Sequence, residues 1–433
     1  MKLLIKNGLV VDPANKIEEK LDIFIANGKI EKVGKNISDR DAKIIDAKGK
    51  VVMPGFIDMH AHFREPGFEY KETIESGSRA AAKGGFTSVC VMPNTSPAID
   101  NQALVEFVNL KAKEVGLIDV HVIGTITKGR AGAELAPVGE LVKAGAVAIS
   151  DDGSSVMNAE LLRRAMEYSK MFNIPIIEHC EDANLAADGM INEGYYSTLL
   201  GLKGIPDAAE EVIVARDILL ARETGAKLHI AHISTEGSVE LLRWAKKQNV
   251  AVTAEVTPHH FALDESALTE YNTNFKMNPP LRTKDDVKVL KKALKDDVID
   301  VIATDHAPHA ELDKNVEFNL ASYGIVGLET AFPLIAEHLI RPGVLSISQA
   351  VAKITINPAK ILGLNKGTLT EGMNADIVVA DLEKEITITK DFFASRSTNS
   401  PFIGQKLHGA IEYVVKKGKI IYGEVSEKRR PAK

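Results

Sequence analysis

The chain has 433 residues, 45% of them hydrophobic and 26% charged, with a formal net charge of −6. That is an ordinary globular composition, long enough for one large domain with an appendage or for two domains. The acidic balance and the lack of a long basic run point away from nucleic acid, and no window approaches the roughly 20 apolar residues of a membrane span.

Taken in order, residues 1–54 read as short strands. LLIKNGLVVD, LDIFIANGKIEKVG and KIIDAKGKVVMP carry β-branched residues around Asn-Gly or Lys-Gly turns, a hairpin signal. The far end repeats the style in ADIVVADLEKEITIT and AIEYVVKKGKIIYGEV. Residues 1–54 with 364–433 are therefore expected to form one small β-sandwich domain built from both termini. The closing KRRPAK is basic but short and reads as a frayed, solvated end.

Residues 55–363 alternate apolar strands with helical stretches. Strands end near FIDMHAH, FTSVCVMPN, DVHVIGTIT, AVAISDD, IPIIEHC, KLHIAHIS, VAVTAEVTPHH and DVIATDH. Between them lie segments such as NAELLRRAMEYSK and SVELLRWAKKQ, with apolar residues at helical spacing. Eight strand–helix units predict an α/β chain with a (β/α)₈ TIM barrel. A doubly wound open sheet is the alternative, weakened by the absence of a GxGxxG after the first strand.

Cys90 and Cys180 are the only cysteines. Two cannot build a disulfide framework, and both sit in apolar surroundings. They are expected to be small buried residues in a reducing compartment. The opening MKLLIKNGLVVDP shows no long h-region or cleavage site, so a cytoplasmic location is expected.

Groups able to bind metal recur at the carboxyl ends of the predicted strands. His60 and His62 lie one residue apart at the end of the first, and residues at i and i+2 of a strand share a face. Strand four ends in Asp151 and Asp152, strand five in His179, strand six in His232 and strand eight in Asp305. In a barrel these ends converge on one face. Four histidines and two carboxylates exceed the three protein ligands usual for one catalytic zinc. Two metals sharing a bridging group fit the number, with a bridging hydroxide as nucleophile.

Other histidines are placed elsewhere. His229, three residues before His232, is expected to face the opposite way, against helices. His121 is read as a satisfied core or supporting residue. His259 and His260 end strand seven, where orienting a ligand and a purely structural role are both open. His338 and His408 are read as peripheral.

With these residues in hand, the chain closely resembles the dihydroorotases of the amidohydrolase superfamily over nearly its whole length. The resemblance is carried by PGFIDMHAHFREPG, VMPNTSP, AISDDG, IIEHCED, HIAHIST, TAEVTPHH, FKMNPPLR, IATDHAPH and YGIVGLETAFP. It implies a metal-dependent barrel with a composite β domain. Hydantoinases, allantoinases and many dihydroorotases bridge their metals with a carboxylated lysine at the end of strand four. AVAISDDG has no lysine there, which resembles the longer bacterial branch with a bridging aspartate.

By that resemblance two zinc ions per subunit are implied, bridged by Asp152. One takes His60, His62, Asp152 and Asp305; the other takes Asp152, His179 and His232. Asp305 doubles as the catalytic proton shuttle. The implied substrate is the small molecule L-dihydroorotate, hydrolysed reversibly to N-carbamoyl-L-aspartate in pyrimidine (UMP) synthesis. His62, Arg64, Asn94 and His309 match substrate-binding positions, the last three around the carboxylate. Asn278 matches a ring contact, and Tyr323 with Gly324 a backbone contact to the ring. Here ASYG stands where the family pattern has APFG. The segment HAELDKNVEFNLASYG has the length of a lid.

Two other readings stand beside this one. One is another cyclic amidase, hydantoinase-like or allantoinase-like. The other is a non-catalytic homologue that assembles with aspartate transcarbamoylase. Association with that enzyme and a homodimer are the macromolecular partners the resemblance raises; nucleic acid and membrane are not expected.

Overall fold

The computed structural model describes residues 2–423. The KRRPAK end lies outside the described residues.

Eight parallel strands form the barrel: Phe56–Ala61, Phe86–Val91, Asp119–Gly124, Ala146–Ile149, Ile176–Glu178, Leu228–Ile230, Val252–Val256 and Val301–Ile302. They are hydrogen-bonded in sequence order from the first to the eighth. Strands eight and one share no ladder. They meet through a single bridge between Ala61 and His306, the His62 amide donating to the His306 carbonyl at 2.8 Å, and Asp58. The Asp58 carboxylate accepts from the Thr304 amide at 3.0 Å and from its hydroxyl at 2.5 Å.

Helices cover the outside, as the apolar spacing predicts. Ile74–Gly84, Gln102–Val115, Ala159–Met171, Glu236–Lys247 and Lys284–Lys295 each start at a Thr or Asn whose side chain accepts from a first-turn amide. Such caps satisfy orphan donors and set where each helix begins. Among the described residues no helix is long and apolar enough to cross a membrane. Cys90 and Cys180 are buried, unpaired thiols.

Strands from both ends of the chain form a separate eight-stranded sheet, Lys2–Asp12, Ile17–Ala26, Lys29–Gly34, Lys43–Asp46, Val51–Pro54, Ile377–Thr387, Lys406–Lys416 and Lys419–Tyr422. Its two faces have different partners, because strand side chains alternate. Val10, Val52, Ile377, Val379 and Val415 close a small core of their own. Val11, Val51, Met53, Val378, Ala380 and Val414 join the main core around the barrel. Both faces are therefore apolar, which explains the near-continuous hydrophobic runs in these strands.

Candidate active site

His60 and His62 leave strand one on the inner side of the barrel. Between Asp58 and Ala61 the pairing slips against Val89 and Val91, so three steps on strand one match two on strand two. Such a bulge re-aims a side chain. The His60 ring Nε2 then lies 3.2 Å from Asp152 Oδ1 and 3.5 Å from Asp305 Oδ1. His62 Nε2 lies 3.0 Å from Asp305 Oδ1 and 3.5 Å from Asp152 Oδ2. Asp152 Oδ1 also faces His232 Nε2 at 3.7 Å and His179 Nδ1 at 4.0 Å. Those last two nitrogens are 3.0 Å apart. All six groups are buried.

Asp152 thus looks toward all four histidines. Asp151 turns out of the cluster: one oxygen accepts from the amides of Ile126 and Thr127 at 2.9 and 3.1 Å, the other from the Thr127 hydroxyl. It pins the loop after strand three. Adjacent residues point opposite ways at a strand end, and that separates the two aspartates.

The cluster suits metal. His60 Nε2 and Asp152 Oδ1, which face each other at its centre, are buried without a hydrogen bond of acceptable geometry. Tetrahedral ligands at 2.0–2.2 Å from an ion lie about 3.4 Å from one another, close to the separations here. Two triads have their ligand atoms close enough to share an ion, His60–Asp152–His232 and His60–His62–Asp305. Burial opposes ionisation of Asp152 and Asp305, but the His60 imidazole and its neighbours outweigh it and hold both carboxyls well below their usual range. Ionised carboxylates are the form a cation binds.

Above the cluster opens a cavity of about 340 Å³. It is lined by His62, Arg64, Asn94, Asp152, His179, His232, Asn278, Asp305, His309, Tyr323 and Gly324. Every residue singled out from the sequence for metal or substrate therefore borders this space except His60, which lies beneath it. His62 Nδ1 donates to Asn94 Oδ1 at 2.8 Å. Arg64, at φ +59°, donates from Nε to the Pro308 carbonyl at 3.2 Å. Burial lowers its guanidinium to about 10, still charged at neutral pH. His309 is held neutral by burial and by the nearby cations Arg64, Lys71 and Lys314. Lys71 Nζ lies 3.2 Å from its Nδ1, and its Nε2 lies 2.8 Å from the Tyr323 carbonyl and 3.3 Å from Arg64 Nη2.

The segment 309–324 is packed down over residues 273–276. Lys314 Nζ donates to the Ser322 carbonyl at 2.7 Å, and Lys276 Nζ donates to those of Phe318 and Asn319 at 2.8 and 3.1 Å. The hydroxyl that Tyr323 adds to the family pattern donates to the Gly189 carbonyl at 2.6 Å.

Two histidines depart from expectation. His229 faces the barrel interior, where Nε2 contacts Glu255 at 3.1 Å and Nδ1 contacts Thr253 Oγ1 at 2.8 Å. The odd–even rule fails because strand six stops at Ile230 and His232 takes φ +30°, so both rings turn inward. His121 is at the opposite, amino-terminal end of strand three. Its Nε2 has no partner, and burial with the nearby Lys366 lowers it to about 4. His260 bonds Thr257 and the Pro279 carbonyl at 2.7 and 2.9 Å, steadying the turn that carries Asn278. His408 pairs with Glu337 away from the site.

The sequence reading missed Glu255. Its carboxylate lies 2.6 Å from His60 Nδ1, in the barrel floor. A glutamate inside the apolar run VAVTAEV was the available signal, since a buried charge needs a partner. Glu181, 4.0 Å from His179 Nε2, was missed as well.

Comparison with known proteins agrees with this geometry. The sequence model of the amidohydrolase family matches residues 51–421. A dihydroorotase of Acetivibrio thermocellus is 53% identical over 422 residues, covering 98% of this chain and 99% of that protein. A dihydroorotase of Pelotomaculum thermopropionicum is 54% identical, covering 97% and 98%. Among solved structures, an L-hydantoinase (dihydropyrimidinase) from Arthrobacter aurescens superposes with a TM-score of 0.88 at 25% identity, over 98% of this chain and 97% of that one. The inward cluster at the strand ends, the barrel that carries it and these near full-length matches together place the chain in the amidohydrolase family, among its dihydroorotases.

Proposed function

We propose that the chain hydrolyses and re-forms the ring amide of L-dihydroorotate, giving N-carbamoyl-L-aspartate, the ring-closing step of pyrimidine synthesis. The observation that carries this reading is the cavity itself, with the ligand cluster on its floor, Arg64 beside His309 at 3.3 Å, and Asn94 also in its lining. A cyclic ureide bearing one carboxylate matches that division. The dihydroorotase relatives support the same substrate.

In this reading His60, His62, Asp152, His179, His232 and Asp305 would hold two zinc ions, with Asp152 shared between them. Such ions lower the pKa of water they bind and polarise the carbonyl to be attacked. Arg64 takes the substrate carboxylate with its planar fork, and Asn94 and His309 complete that pocket. Asn278 and the backbone of Tyr323 and Gly324 hold the ring. Asp305 accepts a proton from the attacking water and delivers it to the leaving ring nitrogen, the work of a positioned carboxylate. The enzyme acts in the cytoplasm, consistent with two unpaired buried thiols.

Purified, metal-loaded protein assayed in parallel with dihydroorotate, hydantoin and allantoin tests the reading. Turnover of dihydroorotate well above the other two is expected. Preference for hydantoin or allantoin would reassign the substrate, and no turnover of any would favour a non-catalytic homologue.

A further inference from the structure

Asn399 stands outside the barrel sequence, in the stretch between strands Ile377–Thr387 and Lys406–Lys416 of the terminal sheet. It is buried, with 6% of its surface exposed. Its side chain nevertheless reaches the substrate cavity's rim. Oδ1 accepts from the His309 amide at 3.0 Å. Nδ2 donates to the carbonyls of Ala307 and Gly324, each at 3.1 Å. Its own carbonyl accepts from the Val326 amide at 3.0 Å.

Those partners lie at the two ends of the segment 309–324. One planar amide therefore ties the start of the segment, where His309 sits, to its close at Gly324. The approach is tight: a Cβ on Gly324, which has φ +116°, would lie 2.6 Å from the Ala307 Cβ. A primary amide can give two N–H bonds and accept at its oxygen at once. A carboxylate of the same shape accepts only, and alanine does neither.

We propose that Asn399 is a positioning residue for substrate binding, fixing His309 and Gly324 at the separation that the carboxylate and ring of the substrate require. This rests on the reading above that His309 and the Tyr323–Gly324 backbone touch dihydroorotate. It gives the terminal sheet a part in the active site, through a connection between two of its strands.

The test is steady-state kinetics on metal-loaded Asn399→Ala, Asn399→Asp, His309→Ala and the Asn399→Ala/His309→Ala double variant, with metal content and thermal stability measured alongside. Asn399→Asp keeps the shape and the acceptor but removes both N–H donors, and the stability and metal measurements guard against a variant that merely misfolds. Both Asn399 variants are expected to raise KM for dihydroorotate about tenfold or more, the scale of leaving buried partners unmatched. Their kcat should stay within about threefold and their metal content should be unchanged, because uniform binding has been lost rather than chemistry. In the His309→Ala background, Asn399→Ala should raise KM by clearly less than it does alone. If His309→Ala raises KM while the Asn399 variants leave it unchanged, or act only through lost metal, the positioning role is overturned and the substrate reading stands. Full additivity in the double variant overturns it too. If His309→Ala itself leaves KM unchanged, the substrate reading fails and this inference fails with it.

Discussion

Glu255 Oε1 lies 2.6 Å from Nδ1 of His60, and Oε2 of the same carboxylate lies 3.1 Å from Nε2 of His229. Burial alone would raise Glu255, but the two imidazoles hold it at about 2. It therefore stays ionised, keeps the proton on His60 Nδ1 and leaves Nε2 free to face Asp152 and Asp305. Partners of this kind typically set metal affinity by about 10–100-fold. Glu255→Gln is expected to lose metal affinity on that scale while the fold persists. Competition against a chelator measures it, and an unchanged affinity would mean His60 needs no such support.

Asp305 faces His60 and His62 and borders the cavity just beyond strand eight. Asp305→Asn should lower kcat by about 10²–10⁴-fold, the range for losing a general acid–base. The comparison requires variant and parent with equal metal content. Near-normal turnover would remove Asp305 from the proton path.

The two neighbouring aspartates should separate cleanly. If Asp152 bridges two metals as proposed, Asp152→Ala is expected to strip metal from both positions. Asp151→Ala should keep metal but lose about 1–3 kcal/mol of stability, because the Ile126 and Thr127 amides are left without their acceptor. Apo protein should also regain activity from divalent metal without bicarbonate, as no lysine awaits carboxylation. Metal analysis and thermal melts of the two variants, prepared identically, decide the assignment. Metal loss in Asp151→Ala instead would reverse it.

Arg64→Lys keeps the charge but not the fork. A point charge cannot copy a planar bidentate donor, so kcat/KM for dihydroorotate should fall by more than about tenfold. An unchanged value would take Arg64 off the substrate.

Away from the site, Glu329 gives a pH-dependent test of the fold. It is buried, accepting from the amides of Ala394 and Ser395 at 2.7 and 3.3 Å. Burial raises its carboxyl from 4.5 to about 7. An acid raised on folding is still protonated in the native state where the unfolded chain has already ionised. Its stability is full below about 4.5 and is lost as pH rises toward 7. Glu329→Gln removes that titration. Relative to the parent, the variant should gain about 2–3 kcal/mol of stability between pH 5 and 8. A difference that stays flat with pH would show that Glu329 is ionised throughout.

Much of this was legible in the sequence for a physical reason. Strand ends in a barrel converge, so HAH, SDD, EHC, AHIS and TDH announce one site without any knowledge of distance. The terminal strands were equally readable from their turns. What the pattern could not show was set by departures from regular strand geometry. The bulge before Ala61 re-aims His60 and His62, and the early end of strand six with the left-handed His232 misled the placing of His229. Glu255 showed only as a charge inside an apolar run, and Asn399 gave no sign, because the importance of both lies in what they hold in place.

The barrel has seven laddered joints and one that is not. At that last joint, between strands eight and one, His60 and His62 stand on one side and Asp305 on the other. An ion held by all three would act as a rivet through the seam, doing mechanically what the missing ladder would do. Taking it out should loosen more than the chemistry. The backbone from Asp58 to His62 and from Thr304 to His306 should open to solvent first, and amide exchange there would register the loss before the rest of the ring gives way.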